Sequence, residues 1–336
     1  MEAVVVTAHG GPEVLELQQL PLPVPAPDAV LIAQHCCGVN FIDTHFRAAN
    51  TTFAKREPPF ICGGEGAGVV QAVGAAVEDL RVGMRVVYSG SSGDSFAGSY
   101  STHVAVPAAS VIPLPDAVTF EDGCSAFVQG TTAHYLLCDS YAAQPGDWLL
   151  IHAAAGGTGS ALVQVAKLRG ARVIATCSTP EKAEIVKGLG ADEVCLSSED
   201  WVERTRELTG GVGVAAVLDG VGRDTFLRGF ECLRKRGAMI MFGEASGAPD
   251  PFDVTQLTIF GSVTLSYPTG GDYNTEPGQL RGRAEEVFRW MSEGKLRMAW
   301  TALPLAEAAE AHRRLEGRQT TGKVLLLCGD GGSPQL

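Results

Sequence analysis

Residues 149–171, LLIHAAAGGTGSALVQVAKLRGA, run from an apolar strand pattern through closely spaced glycines straight into an amphipathic helix pattern. No other stretch constrains the fold as tightly, because a glycine turn joining strand to helix is the sequence form of a dinucleotide-binding βαβ unit. Ala154, Gly156 and Gly159 hold the three spaced positions. Small residues there permit the tight turn, let a pyrophosphate approach backbone N–H groups, and allow the helix, expected from about Thr158, to pack closely on the strand.

The stretches downstream keep the same rhythm. ARVIAT is followed by PEKAEIVKGLG and DEVCL by EDWVERTRELTG, and VAAVLDG and GAMIMFG continue the series. Strand-helix units with short links predict an α/β fold with a parallel, doubly wound sheet, whose ligands sit beyond the carboxyl ends of its strands. Residues 1–110 differ: MEAVVVTA, HGGPEV, AVLIAQHCCGV, GAGVVQAVG and GMRVVYSG are short β-rich pieces between turn signals, as in a compact, mostly antiparallel module. Two rhythms in 336 residues predict two domains. QLTIFGSVTLSYP (256–268) is apolar and β-branched, which predicts an edge strand covered either by a second copy of the chain or by another of its own segments. Residues 280–295 and ALPLAEAAEAHRRLEG (302–317) predict two further amphipathic helices before a terminal strand, GKVLLLC.

The end of the second strand bears on which dinucleotide fits. An NAD-selective site places Asp or Glu there, about twenty residues beyond the glycines, to bond the ribose 2′-hydroxyl. This chain has Thr176, Cys177 and Ser178, with nothing acidic to repel a 2′-phosphate. Ser178 and Lys182 offer a hydroxyl and a cation, so NADPH is the expected cofactor. Glu181 weakens the local positive potential, and Lys182 also reads as a solvated first-turn helix residue.

A formal net charge of −12 opposes attraction to phosphate backbones and anionic membranes, so neither a nucleic acid nor a membrane is an expected partner. The nine cysteines lack C-x-x-C pairs and disulfide-scaffold spacing, and read as mostly buried thiols. There is no uncharged apolar run of roughly 18 residues and no signal-peptide pattern, so a cytoplasmic location is expected.

At GVNFIDTHFR (38–47), GGEGAGVV (63–70), VQGTTAHYLL (128–137), AAAGGTG (153–159) and VGRDTF (221–226), the chain resembles the zinc-free quinone oxidoreductases, the zeta-crystallin-like family of the medium-chain dehydrogenase/reductase superfamily. The resemblance implies a GroES-like β-rich catalytic domain over 1–125, a Rossmann NADPH-binding domain over 126–268, and a C-terminal segment over 269–336 that completes the first. It also implies a homodimer and a small-molecule quinone or enone substrate. Zinc-dependent relatives place a cysteine and a histidine where this chain has Asn40 and Gly64, and carry a four-cysteine lobe where residues 86–103 contain no cysteine. With neither thiolate nor imidazole in place, no metal is expected. Hydride transfer without a Lewis acid needs an acceptor that delocalises charge itself, as quinones and other α,β-unsaturated carbonyls do.

By the same resemblance, Asn40, Phe41, Ile42 and Asp43 border the nicotinamide, with Thr131 approaching the same ring. Gly156, Gly157 and Thr158 serve the pyrophosphate, and Ser178 and Lys182 the adenosine phosphate. Phe242 and Gly243 follow the fifth strand, Leu265, Ser266 and Tyr267 line the nicotinamide side, and Arg318 is a late cofactor contact. Asp43 reads equally as a helix cap. Donors near Asn40 are expected to stabilise the anion formed by hydride addition. His45 replaces a tyrosine of close relatives and reads either as a proton donor or as an ordinary helix substitution. The loop at 48–62 lacks the family's Gly-x-Tyr, a tyrosine is missing near 195–200, and Tyr267 replaces a common arginine. Two other readings remain: an enoyl-thioester reductase, and an NADPH-binding structural or regulatory protein without turnover.

Overall fold

The computed structural model describes residues 1–50, 56–90, 98–276 and 278–329. These fall into two compact units, one made of residues 1–128 and the chain from Met298 onward, the other of Gln129–Arg297.

The first unit is β-rich. Its strands are β1 (Glu2–Val6), β2 (Leu15–Gln19), β3 (Ala29–Val39), β4 (Phe60–Ile61), β5 (Glu65–Val73), β6 (Arg85–Ser89), β7 (His103–Pro107) and β8 (Val111–Pro113), with helix α1 (Phe41–Ala48) directly after β3. Helix α2 (Phe120–Tyr135) contains the boundary between the units. After the second unit, β15 (Trp300–Pro304), α9 (Ala308–Glu316) and β16 (Lys323–Leu327) complete the first. The larger sheet has the order β15-β16-β3-β5-β6-β8, with β7 also paired to β3, and all its pairings are antiparallel except β15 with β16. Val4, Val6, Cys37, Val39, Tyr100, Val324 and Leu326 share one core cluster, so the terminal strand is packed as deeply as the first.

The second unit alternates strand and helix: β9 (Trp148–Ile151), α3 (Gly157–Leu168), β10 (Arg172–Cys177), α4 (Pro180–Gly188), β11 (Glu193–Leu196), α5 (Trp201–Leu208), β12 (Val214–Asp219), α6 (Phe226–Glu231), β13 (Leu233–Met241), α7 (Gln256–Ile259), β14 (Thr264–Ser266) and α8 (Gln279–Ser292). Its sheet is parallel, in the order β11-β10-β9-β12-β13-β14. All six residues of β12 are buried, the apolar run Val214–Leu218 as a doubly covered sheet requires and Asp219 at its end. The chain builds outward from β9 to β11, then returns to build outward from β12 to β14. The order therefore reverses between β9 and β12, and the crevice at their carboxyl ends is the place for a ligand.

Three expectations are corrected. Segment 256–268 is not one strand: α7 and a turn come first, and only Thr264–Ser266 pair with β13, at the sheet edge as expected. Phe260 stacks on Phe230 with centroids 5.0 Å apart, and the positive φ of Gly261 and Ser262 turns the chain before β14. Residues 302–317 open as β15, because parallel pairing with β16 carries the backbone to Pro304, and helix begins at Ala308. Residues 269–297 group with the second unit. Helix α8 buries Ala284, Val287, Phe288 and Trp290 there, and its Glu286 bonds His134 at 2.8 Å.

Candidate cofactor and active site

In the second unit the chain leaves β9 through His152–Ala155 and enters α3 at Gly156, the N-cap. Ala153 takes φ 51°, and its carbonyl points at Gly159, where a Cβ would lie 2.4 Å from the oxygen. Gly159 is therefore the position that brings helix and strand together. At Gly156 an added Cβ would meet only the Ala153 oxygen, at 3.3 Å, so the space before the helix N-terminus stays open. Unpaired first-turn N–H groups and the helix dipole make that space suited to a pyrophosphate. His152 braces the turn: Nδ1 lies 2.9 Å from Thr176 Oγ1, and its ring meets Trp201 edge-on at 4.7 Å.

At the end of β10, Ser178 is exposed and Thr179 caps α4, its hydroxyl accepting from the Lys182 N–H at 3.3 Å. Phe242 and Gly243 follow β13, and Leu265, Ser266 and Tyr267 sit at the end of β14. The structure thus brings Gly156, Gly157, Thr158, Ser178, Lys182, Phe242, Gly243, Leu265, Ser266 and Tyr267 to the carboxyl ends of the parallel strands. Thr131 is buried on α2 in the same unit.

Asn40, Phe41, Ile42, Asp43, His45 and Arg318 belong to the first unit. Arg318 is exposed just past α9, with φ 57°. Asn40 directly follows β3 as the N-cap of α1, and its position follows from register. Val39 pairs with Val324 on one side and Cys37 with Gly66 on the other, so the first residues of β16 and β5, Lys323 and Glu65, flank it. Asn40 Nδ2 donates to Glu65 Oε1 at 2.7 Å, Lys323 Nζ donates to Asn40 Oδ1 at 2.7 Å, and Lys323 also bonds Glu65. Glu65 and Lys323 are almost wholly buried.

On α1, Phe41, Ile42 and His45 share a half-exposed face, whereas Asp43, Thr44, Phe46 and Arg47 are buried. His45 Nδ1 lies 2.7 Å from Asn50 Oδ1. Asp43 lies on the buried face of α1. Its carboxylate is fully buried, capping α1 by accepting from the Asn40 N–H at 2.8 Å and receiving the Tyr100 hydroxyl at 2.9 Å, so it supports Asn40 from beneath. Burial pushes its pKa up to about 7 despite those two donors. Behind it, Tyr100 meets His312, which meets Arg47, which pairs with Glu316.

Glu65, Lys323, Tyr100, His312 and Asp219 were not singled out from the sequence. Glu65 and Lys323 lie within quoted stretches, GGEGAGVV and GKVLLLC, but their partners are remote in the chain. Asp219, fully buried at the end of β12, holds the turn into VGRDTF by accepting from the N–H groups of Val221 and Gly222 at 2.8 and 3.1 Å. All nine cysteines are free thiols, seven of them buried. No described helix is long and apolar enough to cross a membrane. Parts of the 48–62 loop and of the 86–103 stretch, on which two sequence expectations fell, lie outside the described residues.

Residues 26–116 match the alcohol dehydrogenase GroES-like domain, and residues 157–291 match the zinc-binding dehydrogenase domain. A quinone oxidoreductase of Pseudomonas aeruginosa is 37% identical over 95% of this chain and 97% of its own length. A 2-haloacrylate reductase of a Burkholderia species is 37% identical over 97% of this chain and 98% of its own. Among solved structures, Escherichia coli quinone oxidoreductase complexed with NADPH superposes with a TM-score of 0.92 at 35% identity, covering 97% of this chain and all of that one. A mycobacterial protein complexed with NADPH gives 0.92 at 42% identity, with the same coverage. The chain belongs to the quinone oxidoreductase family of the medium-chain dehydrogenase/reductase superfamily.

Proposed function

We propose that the protein is an NADPH-dependent reductase of quinones or other α,β-unsaturated carbonyls, acting without zinc. The observation that carries this reading is the Asn40 amide, fixed between Glu65 and Lys323 beside the half-exposed face of α1. A quinone and a haloacrylate, the acceptors named for two relatives, share a carbon–carbon double bond conjugated to a carbonyl. Such an acceptor spreads the incoming charge onto oxygen, where hydrogen-bond donors around Asn40 stabilise it.

The open cradle at Gly156 and the first turn of α3 fit the pyrophosphate of NADPH, and Ser178 and Lys182, with no acid at the end of β10, fit its 2′-phosphate. When bound, NADPH supplies the hydride. Within the second unit, Phe242, Gly243, Leu265, Ser266, Tyr267 and Thr131 are proposed to shape the nicotinamide side; in the first unit, Phe41, Ile42, Asp43, His45 and Arg318 are proposed functional residues. Zinc independence is supported by ligand chemistry: Gly64 has no side chain, and Asn40 offers a neutral amide already held by Glu65 and Lys323.

A homodimer through β14 is supported by an edge strand exposed along all three residues, with exposed Val254, Ile259 and Tyr267 near it in the chain. A cytoplasmic location suits nine free thiols. The test is oxidation of NADPH against NADH by chelator-treated protein with a benzoquinone, phenanthrenequinone, a simple enone and a crotonyl thioester. Chelator-resistant, NADPH-preferring turnover with quinone or enone is expected. Loss of activity on chelation would overturn zinc independence, turnover with the thioester alone would favour enoyl reduction, and NADPH binding without turnover would favour a non-enzymatic role.

A further inference from the structure

We propose that Glu65 and Lys323 are positioning residues that set which way round the Asn40 amide faces; this rests on the reading of Asn40 given above. An asparagine amide has two nearly equal ends, one accepting and one donating, and a half-turn about its last bond exchanges them. At Asn40 the two neighbours remove that choice. A carboxylate only accepts, so Glu65 Oε1 takes the Nδ2 side at 2.7 Å, and an ammonium only donates, so Lys323 Nζ takes the Oδ1 side at 2.7 Å. The reverse orientation would set carbonyl against carboxylate and N–H against ammonium, inside a part of the fold where Glu65 is 0% and Lys323 2% exposed. Burial removes the water that would soften both clashes.

The scaffold makes the arrangement rigid. Lys323 and Glu65 open β16 and β5 on either side of β3, and Asn40 follows directly on Val39, the last residue of β3, so their spacing is set by backbone pairing. From below, Asp43 accepts the Asn40 backbone N–H at 2.8 Å and fixes the start of α1. Gly38, two residues before Asn40, leaves room for Glu65 to reach across, since a Cβ there would lie 2.6 Å from Oε1. Neither charged residue need touch the acceptor. Their role is to present one end of the amide consistently, and an amide that turned freely would offer a carbonyl oxygen to a developing anion part of the time.

Removing one charge leaves the other buried and unpaired, so Lys323→Met alone is expected to fold poorly. The discriminating variant is the doubly neutral Glu65→Gln/Lys323→Met, which keeps volume but no longer dictates the amide's direction. We expect it to bind NADPH within about twofold of wild type while kcat/KM for a quinone falls about tenfold to a hundredfold, the scale of misplacing one contact. On an Asn40→Ala background the same double substitution should lower kcat/KM no further, because the effect runs through the amide. Independent multiplication of the two losses would overturn the proposal.

A readout separate from turnover is the side-chain amide signal of Asn40 in 15N-labelled protein, assigned from its loss in Asn40→Ala. One amide proton should lie downfield of those of other asparagines and exchange slowly in wild type, and both features should vanish in the doubly neutral variant. An ordinary, fast-exchanging signal in wild type sinks the proposal. Full turnover by Asn40→Ala, where wild type does show the signature, instead sinks the functional reading of Asn40, and with it the catalytic consequence drawn here, while leaving the orientation itself standing.

Discussion

Arg47 Nη1 lies 3.0 Å from His312 Nδ1 inside the first unit, with His312 wholly buried. A guanidinium only donates, so Nδ1 must accept, and the imidazole's one proton then sits on Nε2, facing the Tyr100 hydroxyl at 3.0 Å. Burial, reinforced by the Arg47 charge, lowers the His312 pKa from 6.5 to about 3. Between those values the unfolded chain binds a proton that the folded chain refuses, so stability falls as pH falls from 6.5. The loss should reach on the order of 3 kcal/mol by about pH 4. His312→Gln should be destabilised near pH 7.5 yet recover relative to wild type on acidification. Urea midpoints at several pH values check it, and a parallel pair of curves would refute it.

Asp43 works in the opposite direction. Its pKa rises from 3.8 to about 7, chiefly through burial, so over that interval the folded state holds a proton that the unfolded state has released. Stability from this group is complete below 3.8 and is lost as pH rises through 7. Across the window between about pH 4 and 6.5 the slopes of Asp43 and His312 oppose each other, and wild-type stability should be nearly flat there. Asp43→Asn should remove one slope and leave the other visible. Its stability relative to wild type should improve as pH rises from 4 to 7, and the same urea series would expose a failure.

The parts of the fold legible in the sequence are those in which neighbouring residues carry the instruction. The glycines at 156 and 159 stand beside the strand and helix they join, and each strand-helix unit of 172–241 states its own period. The Asn40 arrangement was not legible, because Glu65 is 25 residues from Asn40 and Lys323 is 258 from Glu65, and only antiparallel register brings them together. Asp43 illustrates the same limit: a cap and a cofactor neighbour look alike in sequence, and its hydrogen bonds to Asn40 and Tyr100 become visible only in the fold. In 256–268 the apolar composition suited a strand, but Phe260 packs on Phe230 and the turn at Gly261 and Ser262 claims the middle.

The glycines of the turn should separate by effect. Gly159→Ala puts a Cβ 2.4 Å from the Ala153 oxygen and 2.8 Å from the Ala154 Cα, both backbone atoms that cannot yield cheaply. It should cost roughly 1–3 kcal/mol of stability through overpacking. Gly156→Ala meets nothing closer than 3.3 Å and should fold normally, but its methyl group fills the space offered to a pyrophosphate. NADPH affinity should fall by about tenfold or more with the urea midpoint little changed, the price of displacing backbone N–H contacts. Isothermal titration beside denaturation reads both, and equal effects on binding and stability at the two positions would contradict the assignment.

Asp219 extends the reasoning to the far side of the switch point. Its Oδ1 accepts from Val221 N–H at 2.8 Å, Gly222 N–H at 3.1 Å and the Thr225 hydroxyl at 2.9 Å, and its carbonyl accepts the Phe242 N–H at 2.8 Å. One buried carboxylate therefore ties the end of β12 to the start of α6, and its backbone ties the same point to the residue after β13. Asp219→Ala should leave the Val221 and Gly222 N–H groups without that acceptor, the Thr225 hydroxyl keeping the Gly222 carbonyl at 3.3 Å, and cost on the order of 3 kcal/mol. Asp219→Asn keeps an acceptor oxygen in place and should cost less than half of that. If the turn also shapes the cofactor crevice, NADPH affinity should fall in Asp219→Ala and survive in Asp219→Asn. Melting curves with and without NADPH distinguish the two effects, and an alanine variant as stable as the asparagine one would show that this turn is held by something else.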